Sequence, residues 1–202
     1  MPTQNPKTAT LPDIHPNIPR LGNRFTQGVG WRVLRLLGWS FEGEFPTHSK
    51  FVAAVAPHTS NWDFVLGMAA VFALRLKLSF LGKHSIFIWP IAGWLKHWGG
   101  IPVERSRKHG IVGQLVEQFA GSEQMILAVA PEGTRSKVKK WKSGFLQIAN
   151  QADVPLLLIY LDFNKKVVGF GPCGPVTSDL DFEMHKVRTF YSSIQAKHPD
   201  KA

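Results

Sequence analysis

Two short stretches of the chain hold residues whose types and spacing could do chemistry. The first is Pro57-His58-Thr59-Ser60-Asn61-Trp62-Asp63. It follows the apolar run Phe51 to Ala56 and precedes a second apolar run, Phe64 to Leu74. On one regular helix, two residues five positions apart differ by about 140° and miss each other. With His58 in a loop and Asp63 in a first helical turn, they can meet. Ser60 or Asn61 is then the N-cap, and the helix dipole favours an acid at Asp63. An aspartate bonded to one imidazole nitrogen fixes the tautomer and makes the other nitrogen a general base. The plainer alternative is a loop histidine beside an acid that only caps a helix.

The second stretch is Pro131-Glu132-Gly133-Thr134-Arg135, after the apolar run Met125 to Ala130. Gly133 permits positive φ or close approach of a ligand to the backbone. Thr134 offers a hydroxyl, and Arg135 a planar fork matched to phosphate. Lys137, Lys139, Lys140 and Lys142 follow. Arg105, after Ile101-Pro102-Val103-Glu104, and Lys83, after Phe80-Leu81-Gly82, are further cations at the ends of expected strands. Singly, each reads as surface charge; together they make an anion site.

Other candidates are weaker. Ser60 as a nucleophile lacks a Gly-x-Ser-x-Gly elbow, and capping explains it. Cys173, the single cysteine, excludes an intramolecular disulfide and lies in a Gly-Pro-Cys-Gly-Pro stretch that reads as a turn. One His and one Asp do not make a metal site, and no cofactor is expected.

The elements that must position these residues alternate. Strands are expected at 51–56, 78–83, 101–105, 125–130, 155–161 and 166–170, and helices at 64–74, 94–98, 111–119, 145–151 and 180–197. Near-continuous apolar strands separated by helices predict an α/β fold: a single domain with a mixed, largely parallel sheet flanked by helices. Both reactive stretches then fall beyond the carboxyl ends of strands, where open α/β sheets bind ligands.

The N-terminal part differs. Residues 1–20 contain five prolines and read as an extended, poorly ordered tail. Residues 21–45 carry an amphipathic helical segment with Phe25, Val29, Val33, Leu36 and Leu37 at helical spacing, three arginines and no acid before Glu42. Such a segment suits either a membrane interface or the domain core. Residues 46–202 form the main domain.

The 202 residues carry a net charge of +10 with a pI of about 10.0, which suits a polyanionic partner. There is no secretory signal pattern, and the longest apolar run is shorter than the roughly 18 residues a span requires. Any membrane contact is expected from one side. Nucleic acid is a competing partner on charge alone, but no zinc, RNP or helix-turn-helix pattern accompanies it.

Taken in order, His58-Thr59-Ser60-Asn61-Trp62-Asp63, Gly100-Ile101-Pro102-Val103-Glu104-Arg105, Pro131-Glu132-Gly133-Thr134-Arg135 and Val154-Pro155-Leu156-Leu157-Leu158 resemble the four blocks of the glycerolipid acyltransferase family, the 1-acylglycerol-3-phosphate acyltransferases. The resemblance implies acyl transfer from a thioester, acyl-CoA or acyl carrier protein, to a hydroxyl of a lysophospholipid, at the cytoplasmic face of a membrane. It makes His58 the base and Asp63 its partner. It assigns Lys83, Arg105, Glu132, Gly133, Thr134 and Arg135 to the acceptor's phosphate, and ties Pro155 to the acyl donor or the fold. Backbone N–H groups from Ser60 to Trp62 are candidate oxyanion donors. The chain departs from the family at Pro57, where an asparagine often stands, in the Ile-Pro-Val-Glu-Arg form of the second block, and in lacking a second proline after Pro155. These departures bear on the acceptor. An amino-acid-linked or other lysolipid is an alternative acceptor, and a non-catalytic lipid-binding protein an alternative role.

Overall fold

The computed structural model describes residues 10–103, 108–134, 137–138 and 140–201. Its centre is a seven-stranded sheet in the order β1-β7-β6-β2-β5-β3-β4. The strands are β1 (Ser40–Glu42), β2 (Lys50–Ala56), β3 (Ser79–Lys83), β4 (Gly100–Val103), β5 (Met125–Val129), β6 (Leu156–Asp162) and β7 (Val167–Gly174). Only the β6–β7 pair is antiparallel. The helices are α1 (Arg24–Leu36), α2 (Asn61–Leu74), α3 (Ile91–His97), α4 (Lys108–Ala120), α5 (Gly144–Gln151) and α6 (Leu180–Tyr191). The mostly parallel α/β architecture expected from the apolar runs is the one observed.

β2 is buried on both faces, and its side chains alternate between two cores. Val52, Ala54 and Ala56 join Leu115 and Phe119 of α4, Phe145 and Leu146 of α5, and Val187 and Tyr191 of α6. Phe51 and Ala53 point the other way, into a cluster with Phe45, Val71 and Leu74. Burying a side chain of this size as fully as Phe51 is worth roughly 1.5–3 kcal/mol.

α1 lies on α2 through small residues. A Cβ on Gly30 would stand 2.4 Å from the Ala69 carbonyl oxygen and 2.6 Å from the Ala73 nitrogen. Glycine is therefore a packing requirement in a helix it would otherwise weaken. Leu34 is fully buried beside it. Phe25 and Leu36 fall on the opposite side of α1 and are 76% and 87% exposed. The amphipathic segment thus packs on the core by one face and leaves a second apolar stripe outside.

Three expectations need correction. Residues 10–20 are not a loose tail. Ile14 and Ile18 are buried in the Phe51 cluster, and the Arg20 guanidinium donates to the Leu74 carbonyl at 2.6 Å and the Ile14 carbonyl at 3.0 Å. Burial of two isoleucines and closure of the carbonyl end of α2 outweigh the disorder that the prolines favour. Cys173 is not in a turn but in β7, paired with Leu157. The strand tolerates Pro172 because β1 pairs only with Val167 to Gly169, leaving that stretch with β6 alone. Burial raises the Cys173 thiol above its ordinary value, which fits an inert residue. The last helix stops at Tyr191 rather than 197, and residues 195–198 cross back toward the head of the sheet. Strand β1 at the sheet edge had no sequence signal, being three residues long.

Candidate active site

The sheet order explains how motifs far apart in sequence come together. β2, β5, β3 and β4 are adjacent and parallel, so their carboxyl ends form one row. His58 follows β2, Pro131 to Thr134 follow β5, and Lys83 ends β3. Ala54 of β2 is level with Val129 of β5, which puts the His58 and Glu132 loops side by side. The Lys83 backbone lies in the row through β3. Arg105 and Arg135 fall outside the described residues.

At the head of β2 the chain passes through a cis Ala56–Pro57 peptide bond into the loop. Ser60 is the N-cap of α2, with extended backbone. Its hydroxyl accepts the Trp62 N–H at 3.2 Å, and Ser60 and Asp63 form a full capping box. The capping role leaves no need for Ser60 as a nucleophile.

Asp63 does more than cap. Its Oδ2 accepts the N–H groups of both Thr59 and Ser60 at 2.7 Å. The same oxygen lies 3.4 Å from His58 Nδ1. The carboxylate is 2% exposed and the imidazole 23%. Asp63 Oδ1 is buried with no hydrogen-bond partner among the described residues. The carboxylate charge is therefore answered at Oδ2, on the side of His58. The His58–Asp63 separation exceeds a well-made N–H···O bond.

These contacts narrow one expectation, that backbone N–H groups from Ser60 to Trp62 are oxyanion donors. The N–H groups of Thr59 and Ser60 are committed to Asp63, and that of Trp62 to Ser60. They do not point outward as oxyanion donors, because the helix start that positions Asp63 consumes them.

Glu132 stands behind His58 rather than out in the groove. It is 5% exposed, and both its oxygens lie 3.1 Å from the His58 backbone nitrogen, whose N–H they accept. Burial, opposed by the His58 N–H and reinforced by the charge of Asp63, pushes its carboxyl up to about 7. Gly133 has a φ of 64°. The Lys142 side chain lies across it, so that a Cβ there would meet Lys142 Nζ at 2.8 Å. The Lys142 N–H closes the loop by donating to the Pro131 carbonyl at 2.9 Å. Gly133 and Thr134 are thus presented at the row of strand ends, with the Lys142 ammonium beside them.

Two supports lay outside any recognisable pattern. The Tyr191 hydroxyl, buried, donates to the Ala54 carbonyl at 2.6 Å, with the Ile159 carbonyl at 3.0 Å. It ties α6 to the two central strands just below His58, and burial raises its phenol well above the ordinary value. The His198 N–H donates to Thr59 Oγ1 at 3.2 Å, and Lys197 Nζ sits 4.6 Å from the centre of the Trp62 ring. The segment after α6 therefore braces the histidine loop. No sequence spacing links positions 59 and 198.

Pro155 is at the other end of the sheet. Its carbonyl accepts the Val52 N–H at 3.0 Å, and Val52 is level with Leu156 while Ala56 is level with Tyr160. Four residues of strand, about 13 Å, separate it from the head of β2, so its visible work is in the fold. Among the described residues, no cluster of His, Cys, Asp and Glu could hold a metal, and no helix is long and apolar enough to cross a membrane.

A parallel sheet with a histidine–aspartate pair at the head of a central strand and an acid-glycine loop at the next defines a class, and the comparisons agree. The family model described as acyltransferase matches residues 41–161, more than half of the chain. The chain belongs to the acyltransferase family. It is 28% identical over 140 residues to a chloroplastic 1-acyl-sn-glycerol-3-phosphate acyltransferase of Brassica napus, covering 64% of this chain and 39% of the relative. The chain thus spans about two fifths of the length of that curated relative. Its fold is similar to that of the crystallised 1-acyl-sn-glycerophosphate acyltransferase PlsC from Thermotoga maritima. The TM-score is 0.60 at 18% identity, covering 86% of this chain and 81% of the other.

Proposed function

We propose that this chain is an O-acyltransferase that moves a fatty acyl group from a thioester, acyl-CoA or acyl carrier protein, to the free hydroxyl of a lysophospholipid such as 1-acylglycerol-3-phosphate, in phospholipid biosynthesis. The observation that carries the reading is the His58–Asp63 pair, with Nδ1 3.4 Å from an Oδ2 already fixed by two backbone N–H groups. In the reaction, His58 Nε2 takes the proton of the acceptor hydroxyl as its oxygen attacks the thioester carbonyl carbon. The tetrahedral intermediate collapses, the C–S bond breaks, and the imidazolium returns the proton to the leaving thiolate. Asp63 holds the tautomer and stabilises the imidazolium. Arg105, Arg135, Lys83, Gly133, Thr134 and the neighbouring Lys142 bind the acceptor's phosphate, a role that acts by positioning. Glu132 is a positioning residue that holds the His58 backbone. The protein works peripherally at the cytoplasmic face of a membrane.

The test is free-thiol release from acyl-CoA and from acyl carrier protein against a panel of acceptors. The panel holds 1-acylglycerol-3-phosphate, an uncharged monoacylglycerol and an amino-acid-linked lysolipid. Release should depend on acceptor, yield an ester, favour the phosphorylated acceptor, and fall by about 10²–10⁴-fold in His58→Ala. Turnover near wild type in that variant would remove His58 as the base. Salt-sensitive retention on DNA with no turnover on any acceptor would favour a basic binding module instead.

A further inference from the structure

We infer that the groove between the loop at 140–143 and the outer face of α6 binds the nucleotide end of the thioester donor, the adenosine diphosphate portion of coenzyme A. This site rests on the acyl-transfer reading and chooses between its two donors. The groove has a volume of about 610 Å³, within the range of small-molecule and cofactor sites. Lys140, Trp141 and Ser143 form one wall, and Leu180, Met184 and Arg188 the other. The last three are spaced four residues apart on α6, so they make one stripe about 12 Å long.

The groove opens beside the proposed reaction centre. The Lys142 N–H donates to the Pro131 carbonyl at 2.9 Å, so the loop at 140–143 leaves from the acid-glycine loop at the head of β5. Trp141 packs on Tyr191 with ring centroids 5.6 Å apart, and the Tyr191 hydroxyl bonds the Ala54 carbonyl just below His58. Strand β7 runs away from the head of the sheet, antiparallel to β6, and α6 runs back toward it. Arg188 therefore stands at the end of the groove nearer His58, and Asp181 at the far end. A donor with its thioester at His58 would carry its pantetheine arm past Lys142 and its nucleotide into the groove.

The lining has the chemistry of a nucleotide site. Lys140 and Arg188 are exposed, and neither has a carboxylate within ion-pair distance among the described residues. An ammonium and a guanidinium fork on facing walls suit a diphosphate. Trp141 is half-buried and offers a flat face for a purine, with the Met184 thioether opposite. Ser143 adds a hydroxyl. The acids nearby are otherwise engaged or distant. Glu183 is buried and bonded to Lys186 and Thr177, and Asp179 Oδ1 accepts the Phe182 N–H as the helix cap. Asp181 lies at the end away from Arg188, where it can accept a purine amine. Cations near the reaction centre and an acid beyond them follow the order of coenzyme A, diphosphate before adenine. A carrier protein would bring a phosphopantetheine but no purine.

The experiment is isothermal titration calorimetry of the full chain with coenzyme A, pantetheine, ATP and the phosphopantetheine form of acyl carrier protein, which needs no turnover. Coenzyme A should bind at least about tenfold more tightly than each of the other three. Arg188→Glu should lose at least about tenfold in affinity for coenzyme A and none for pantetheine. Met184→Glu, which sets a negative charge on the α6 wall, should do the same. Both positions lie on the outer face of α6, and an unchanged thermal melt shows that the fold is kept. In turnover, KM for acyl-CoA should rise in both variants, and KM for an S-acyl-pantetheine should not. Equal affinity of wild type and both variants for coenzyme A would overturn the inference. So would coenzyme A binding no more tightly than pantetheine, ATP binding as tightly as coenzyme A, or the carrier protein binding more tightly and being lost in the same variants. Turnover with coenzyme A binding insensitive to both variants would remove the groove and leave the acyl-transfer reading. Variant-sensitive binding of coenzyme A without turnover on any acceptor would do the reverse.

Discussion

The two oxygens of Glu132 and the backbone nitrogen of His58 are 3.1 Å apart, and this contact joins the loops at the heads of β2 and β5. Sequence places Glu132 beside Gly133, Thr134 and Arg135 and suggests a ligand for phosphate. The geometry turns its carboxylate inward. The consequence for stability has a definite sign. The carboxyl sits at about 7 in the fold against an ordinary 4.5, chiefly because it is buried. Between those values the folded chain keeps a proton that the unfolded chain has lost. Its contribution is therefore fully present below about pH 4.5 and lost as pH rises through about 7. Glu132→Gln removes this titration. The melting temperature of Glu132→Gln relative to wild type should be higher at pH 8 than at pH 5, and parallel melting curves at the two pH values would contradict the assignment.

The same residue separates positioning from ligand binding. Glutamine can still accept the His58 N–H through its carbonyl oxygen, whereas alanine leaves that buried donor unpaired, at a cost of about 1–3 kcal/mol. Glu132→Gln should therefore retain most of kcat and Glu132→Ala should lose it, with KM for the phosphorylated acceptor little changed in either. A large KM effect confined to phosphorylated acceptors would return Glu132 to the phosphate site.

Much of this was legible in sequence, for physical reasons. β2, β5 and β6 are buried on both faces and show as unbroken apolar runs, and a histidine or acid that ends such a run stands out. The capping box at Ser60 and Asp63 is local and can be read from spacing. What was hidden depends on distant pairing. Three-residue β1 buries too little to leave a pattern. Ile14 and Ile18 sit among prolines that suggest disorder, and their burial depends on a cluster built from residues beyond position 40. The contacts from Tyr191 to Ala54 and from His198 to Thr59 span more than a hundred residues and involve backbone groups, which carry no sequence signature. The direction of the Glu132 side chain was hidden likewise, since a motif gives residue types and not which way they face.

Asp63→Asn tests the pair itself. Asparagine keeps the shape and can accept the Thr59 and Ser60 N–H groups, but it supplies no charge to stabilise the imidazolium and can present an amide N–H to Nδ1. In the comparable catalytic dyad of serine proteases, such a change costs about 10⁴-fold. We expect a loss of about 10²–10⁴-fold in kcat with a fold close to wild type and KM little altered. Near-normal kcat would mean that Asp63 is only a cap, whose loss affects stability by about 1 kcal/mol.

Gly30→Ala tests how α1 is held. The added methyl would meet the Ala69 carbonyl oxygen at 2.4 Å and the Ala73 nitrogen at 2.6 Å, both backbone atoms of α2. Ordinarily alanine for glycine within a helix is favourable by about 1 kcal/mol. Here overpacking should reverse the sign, giving a net loss of about 1–3 kcal/mol. Gly28→Ala is the control, since its Cβ would meet only the end of the Arg32 side chain at 3.3 Å. Denaturant titration of the two variants should move the midpoints apart, Gly30→Ala below wild type and Gly28→Ala at or above it.

Thr59→Val tests whether the returning C-terminal segment matters to the site. The substitution keeps the shape of a side chain that is 3% exposed and removes the hydroxyl that accepts the His198 N–H at 3.2 Å. The Thr59 N–H remains available to Asp63. If the brace only anchors the chain, stability should fall by about 0.5–1.5 kcal/mol and kcat should hold. If it also fixes the loop that carries His58, kcat should fall several-fold beyond any change in KM. His198→Pro, which removes the donor from the other side, should give the same kcat. The two substitutions combined should cost no more than either alone, because they break one bond. Additive losses would show that Thr59 and His198 act on the site separately.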